Sequence, residues 1–267
     1  MHYSRLGKEK EVMNKTGKTI CVFSPKGGVG KTVLSLNLAG ICELTKKKVL
    51  LLDLDIQSGS LGMIINQEIN KTIYNISEDL KINKYKSILD YTYKYSDYTY
   101  VLPSLIDPRQ KVTIDSIKRI INDSKYYFDI IIIDTCSKLD EYNLLILDSV
   151  DEVLFVTIND LFTLKNTRNI ITIFNECNIT NYKVLLNASI DFKVPYFSLL
   201  DIKKIINSNI DYLISKNLYS KDISSYIYES KIPILMKNVY SKCPKDINTL
   251  KLIINDLERI NTYEEKN

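Results

Sequence analysis

The chain has 267 residues, 45% of them hydrophobic and 25% charged, and carries a net charge of +4. That is enough apolar material for one sizeable core, and it excludes a disordered, collagenous or disulfide-stapled chain. The five cysteines are scattered and the only histidine is His2, so no zinc or iron–sulfur pattern is present; mild basicity alone does not imply nucleic acid.

Reduced thiols in a cytosol are the simplest reading of the cysteines. No run reaches the roughly 18 apolar residues that a membrane span needs. Residues 1–17 are polar and charged, which reads as a flexible tail rather than a signal peptide. From residue 18 onward, apolar runs alternate with helix-like segments. Strands are predicted at Ile20–Phe23, Val49–Asp53, Tyr98–Leu102, Phe128–Ile133, Glu152–Thr157, Lys183–Leu186 and Asp211–Ile214. Several are continuous aliphatic runs, as parallel strands covered on both faces require. Helical patterns fall around 32–44, 111–124, 140–148, 163–176, 199–207, 221–229 and 245–260. The alternation predicts one α/β domain over 18–260, a doubly wound and mostly parallel sheet with helices on both faces, and a short tail over 261–267. Residues 66–97 show only loose periodicity. Their tyrosines (Tyr91, Tyr93, Tyr95, Tyr98, Tyr100) read as a half-buried strand or amphipathic edge.

The first predicted strand runs into Ser24-Pro25-Lys26-Gly27-Gly28-Val29-Gly30-Lys31-Thr32 and then into a helix beginning at Val33. Small residues let successive backbone N–H groups converge on phosphates at a helix N-terminus. Lys31 would reach the β- and γ-phosphates and the Thr32 hydroxyl would ligate Mg²⁺. Pro25 stands where the general pattern has its first glycine. The second strand leaves through Asp53-Leu54-Asp55, two carboxylates placed beside that loop, and the apolar run Ile130–Ile133 closes on Asp134. A carboxylate at the carboxyl end of a buried strand holds Mg²⁺ through water, where open α/β sheets bind ligands.

Lys-Gly-Gly-x-Gly-Lys-Thr with the extra lysine at Lys26 resembles the deviant Walker A loop of the MinD/ParA family, and the likeness extends over about 18–260. The resemblance implies an ATPase that dimerises around two nucleotides, with Mg²⁺, and with Lys26 reaching across to the partner's ATP. It assigns nucleotide contact to Lys26, Gly27, Gly28, Val29, Gly30, Lys31, Thr32 and Val33, and catalytic roles to Lys26, Lys31 and Asp55, the last positioning the hydrolytic water. It places Asp53, Asp134 and Thr32 around Mg²⁺, and Asn187, which ends Val184-Leu185-Leu186-Asn187, on adenine. The chain departs from the family where Thr135-Cys136-Ser137 replaces a proline-containing turn after Asp134, and where Ile214-Ser215-Lys216 replaces a proline on the base side.

Within the family, the segments Asp53–Leu61, Val101-Leu102-Pro103 with Asp107-Pro108, and Leu147–Thr157 look most like the CpaE/TadZ branch, which positions pilus-assembly machinery. That implies a protein partner in a membrane-associated assembly, and a cytoplasmic chain recruited to the inner face of the membrane. A MinD-like or flagellar-number regulator needs a membrane-seeking last helix. Here the stripe Ile247, Leu250, Ile253, Ile254, Leu257 and Ile260 is backed by mixed charge, which favours a core helix. A DNA-partition ATPase is disfavoured by the modest charge. A tyrosine autokinase should lack Lys26 and carry a tyrosine-rich tail, and a nitrogenase-type reductase needs more than Cys136.

Overall fold

The computed structural model describes residues 16–56, 59–104, 107, 109–188, 197–218 and 223–260. The two expected tails beyond Thr16 and Ile260, and Gln57, Ser58 and Pro108 of the branch segments, lie outside the described residues.

Among the described residues the strands are β1 (Lys18–Phe23), β2 (Val49–Leu54), β3 (Tyr93–Lys94), β4 (Thr99–Leu102), β5 (Ile130–Thr135), β6 (Glu152–Thr157), β7 (Tyr182–Asn187) and β8 (Tyr212–Ile214). They form one sheet in the order β3-β4-β2-β5-β1-β6-β7-β8, parallel except for the β3–β4 pair. The helices are α1 (Lys31–Leu44), α2 (Ile73–Lys81), α3 (Ile114–Ser124), α4 (Glu141–Ser149), α5 (Leu161–Glu176), α6 (Leu199–Ile206), α7 (Ile223–Tyr228), α8 (Lys237–Lys242) and α9 (Pro244–Arg259).

Side chains of a strand alternate between faces, so the four consecutive isoleucines of β5 feed two cores. Ile130 and Ile132 join the layer that holds α1 and α9. Ile131 and Ile133 join the layer that holds α2 to α6. The doubly wound, mostly parallel architecture expected from the alternation is the one observed. The last helix buries Ile247, Leu250, Ile253, Ile254 and Leu257 in the first of these cores.

The boundaries shift where capping residues decide them. α5 starts at Leu161, two residues before the periodicity suggests, because the Asp160 side chain accepts from the Thr163 amide. α3 starts at Ile114, capped by Thr113. Residues 66–97 differ most from expectation. They contain α2, opened by a capping box of Thr72 and Asn75, then a 3₁₀ turn at Ile88–Tyr91, and only a two-residue edge strand. The tyrosines there brace loops. The Tyr91 hydroxyl donates to Asp79 (2.6 Å), and the Tyr93 hydroxyl accepts from the amides of Asn70 (2.6 Å) and Lys71 (2.8 Å).

Candidate functional site

β1 lies near the middle of the sheet and delivers the chain into the turn over 24–30, so the turn stands at the carboxyl ends of the strands. Left-handed backbone at Gly28 (φ 75°) and Gly30 (φ 89°) makes the turn possible. A Cβ on Gly28 would meet nothing within 4 Å, so the backbone there is open to a ligand. Gly30 caps α1, no side chain caps it, and no acidic residue stands in its first turn. The amides and positive end of that helix are therefore left for an anion.

Around this helix end the polar side chains converge. Lys31 is only 9% exposed, and its ammonium donates to Ser137 Oγ at 3.1 Å. The Thr32 hydroxyl donates to Asp134 Oδ2 (2.6 Å), and the Ser35 hydroxyl to Asp134 Oδ1 (3.2 Å). The Ser60 hydroxyl donates to Thr32 Oγ1 at 3.3 Å. Asp53 stands directly across from Asp134 in the register of β2 and β5. Its oxygens accept the amides of Asp55 (3.2 Å) and Leu61 (3.0 Å), so it braces the segment that follows β2.

Burial pushes the Asp134 carboxyl up to about 6, against the pull of the Thr32 hydroxyl and Lys31. Burial, and then the nearby Asp134 charge, pushes Asp53 well above the usual carboxylate range. Two carboxylates raised in this way favour an added cation, which would restore their ionised forms. Among the described residues no group of three or more His, Cys, Asp or Glu side chains is arranged to hold a metal. A divalent ion here would rely on the Thr32 hydroxyl, Asp134 and the nucleotide's own phosphates, the usual arrangement for Mg²⁺. An uncapped helix end, a buried lysine and a hydroxyl beside a carboxylate fit a nucleoside triphosphate with Mg²⁺.

Asp55 leaves β2 at the edge of this cluster, its carbonyl accepting from Ser104 Oγ (3.0 Å). Lys26 is engaged by a different carboxylate. Its ammonium pairs with Asp160 Oδ2 at 2.7 Å, and that carboxylate also takes the amide and hydroxyl of Thr163. The Lys26 and Thr163 hydrogen bonds hold the Asp160 carboxyl down at about 2. Asn187 ends β7 and donates from Nδ2 to the Val29 carbonyl (2.9 Å), tying the next strand over to the turn. With Gly30, Val33, Leu34, Asn37, Ile214 and Leu218 it lines a shallow recess beside α1.

Residues 17–192 match the family model described as an AAA domain. An uncharacterised ATP-binding protein of Methanocaldococcus jannaschii is 32% identical over 149 residues, which are 54% of this chain and 54% of that protein, so the match spans about half the relative's length. The septum site-determining protein MinD of Bacillus subtilis is 26% identical over 71% of this chain and 72% of its own. The crystal structure of a ParA family ATPase from Chlorobium tepidum superposes with a TM-score of 0.74 at 20% identity, over 87% of this chain and 96% of that one, a likeness of fold. The chain belongs to the MinD/ParA family of P-loop ATPases.

Seen as a MinD/ParA-family site, the cluster gathers the predicted Lys31, Thr32, Asp53 and Asp134 at one helix end, with Gly27 to Gly30 forming the turn. Asp55 stands at its rim, Asn187 beside its recess, and Lys26 is the one held on a separate partner. Four contributors escaped the sequence reading: Ser35, Ser60, Ser137 and Asp160. Ser35 could have been found, because it lies one helical turn beyond Lys31 and Thr32 on the same face. Ser60, Ser137 and Asp160 come from loops whose folding brings them close, and spacing carries no signal for them.

Proposed function

We propose that this chain is an ATP-binding, slowly hydrolysing switch that dimerises around two nucleotides and positions a cellular assembly, acting as one domain over 18–260. The observation that carries the reading is the uncapped start of α1 with Lys31, Thr32 and Asp134 gathered on it. Lys31 would bind the β- and γ-phosphates, and Thr32 and Asp134 would hold Mg²⁺, which supplies charge neutralisation at the terminal phosphate. Asp55 would orient the attacking water. Lys26 would leave Asp160 and neutralise phosphate charge on the partner copy. Asn187 would meet adenine beside the Val33 recess.

The test is sedimentation with and without Mg-ATP. The expected result is a dimer only with the triphosphate, weakened in Lys26→Ala; Asp55→Ala should bind ATP but remain dimeric because turnover stops. A Lys26→Ala chain that dimerises and hydrolyses normally refutes the trans role, and unchanged turnover in Asp55→Ala refutes its assignment.

The narrower reading is a cytoplasmic protein that meets pilus or secretion machinery at the membrane, supported by the Asp53–Leu61 and Leu147–Thr157 segments. A second reading, MinD-like positioning, draws support from the Bacillus subtilis relative named for septum-site determination. Among the described residues no helix is long and apolar enough to cross a membrane. Flotation with lipid vesicles in the presence of ATP separates the two, since direct vesicle binding favours the MinD-like reading. A DNA gel shift with ATP tests the partition role, and retention of DNA would favour a ParA-like function.

A further inference from the structure

The turn after β5 is one of two places where the sequence departs from the family pattern, and it sets a hydroxyl beside Lys31. Ser137 Oγ accepts from the buried Lys31 ammonium at 3.1 Å. A Cβ built on Gly27 would have that same oxygen as its near neighbour, at 3.6 Å, and nothing else within 4 Å. Ser137 Oγ therefore sits between the phosphate-binding lysine and the turn's first glycine.

The position is held from behind. Asn143, buried in the first turn of α4, donates from Nδ2 to Cys136 Sγ (3.0 Å) and to the Lys138 carbonyl (2.5 Å), the two neighbours of Ser137. The Asp140 side chain in turn accepts the Asn143 amide at 3.0 Å. A half-buried serine on so braced a turn has its hydroxyl aimed by the fold. A neutral hydroxyl offers the ammonium a hydrogen bond but no opposite charge, and a phosphate oxygen outcompetes it because it adds Coulomb attraction to the bond. Once Lys31 turns to phosphate, the Ser137 hydroxyl is released from accepting and can donate.

We propose that Ser137 reads the terminal phosphate: its hydroxyl accepts from Lys31 in the free chain and donates to a γ-phosphate oxygen when a nucleoside triphosphate is bound. This rests on the nucleotide reading above. With a diphosphate the hydroxyl has no terminal phosphate to meet. Ser137 thus separates triphosphate from diphosphate, and the Asn143 brace passes that difference to α4.

The experiment measures affinities of the full chain for ADP and for a β,γ-imido triphosphate analogue, each with Mg²⁺, by calorimetry. Ser137→Ala should weaken the triphosphate about tenfold, the worth of one hydrogen bond to a charged group. Its ADP affinity should stay within about twofold of the parent or tighten, since Lys31 loses its competitor. Ser137→Thr, which restores the hydroxyl, should recover most of the triphosphate affinity. Equal losses for both nucleotides, or no loss for either, overturn the proposal. If the parent chain binds neither nucleotide, the nucleotide reading itself fails, an outcome separate from the failure of Ser137 alone.

Discussion

Both ends of the sheet bury carboxylates, and they treat them differently. At the carboxyl ends of β2 and β5, every oxygen of Asp53 and Asp134 receives a donor: two backbone amides on one, the Thr32 and Ser35 hydroxyls on the other. At the opposite end, Glu152 opens β6 only 4% exposed, and its Oε1 has no hydrogen-bond partner among the described residues. Lys183 on β7 is the cation acting on it, while Asp211 before β8 and Asp256 on α9 add like charge; burial pushes the carboxyl up to about 7. The first arrangement leaves no carboxylate oxygen without a donor, as the proposed Mg²⁺ site requires. The second is a cost the fold tolerates, since a buried acid with an unpartnered oxygen prefers its neutral form.

That contrast can be broken by substitution. The largest effect belongs to Lys31→Ala, which should cost triphosphate affinity on the order of 100-fold in calorimetry, because it removes a buried charge-assisted donor. A loss below about threefold would show that the helix end is not the phosphate site. Next is Glu152. Its folded value of about 7 lies above the ordinary glutamate value of 4.5, so the folded chain holds the extra proton between them. The contribution of Glu152 to stability should be fully present below about pH 4.5 and be lost as pH rises through 7, by on the order of 2 kcal/mol. Glu152→Gln should flatten that fall in urea midpoints taken from pH 5 to 8; an unchanged slope would erase the difference between the two ends.

Asp134→Asn should leave the fold intact and remove most of the Mg²⁺ dependence of ATP binding, an effect of about tenfold, read by titrating nucleotide with Mg²⁺ and with a chelator. The smallest effect is at Asp160. Asp160→Asn keeps a good helix cap and loses only the Lys26 pair, so the melting temperature should fall by about 1–2 °C. Asp160→Ala loses the cap as well, about 1 kcal/mol or a few degrees. No shift in Asp160→Asn would mean that Lys26 contributes nothing to holding α5, and equal shifts in the two variants that the cap contributes nothing.

The end with every carboxylate oxygen satisfied was also the legible one. Lys31, Thr32, Asp134 and the Gly28–Gly30 turn could be read because loop, helix start and strand end are each a contiguous pattern. The four isoleucines of β5 announced a strand covered on both faces. The segment 66–97 was opaque for the converse reason: α2 shows only Ile73 and Ile76 as a buried apolar pair, and its start depends on a Thr72–Asn75 box that composition does not advertise. Likewise the Lys26–Asp160 pair joins residues 134 positions apart. Nothing in local spacing connects them, and only the neighbouring placement of β1 and β6 does.

The bare start of α1 has a consequence in time. A helix whose opening turn lacks its own closure opens and shuts often, so the amides of Lys31 to Val33, which precede the first intrahelical bond from Leu34 to the Gly30 carbonyl, should trade their hydrogens with solvent quickly in the free chain. A seated phosphate supplies the missing acceptors and stills that turn. The lifetime of one helical turn then becomes a record of how long the nucleotide stays.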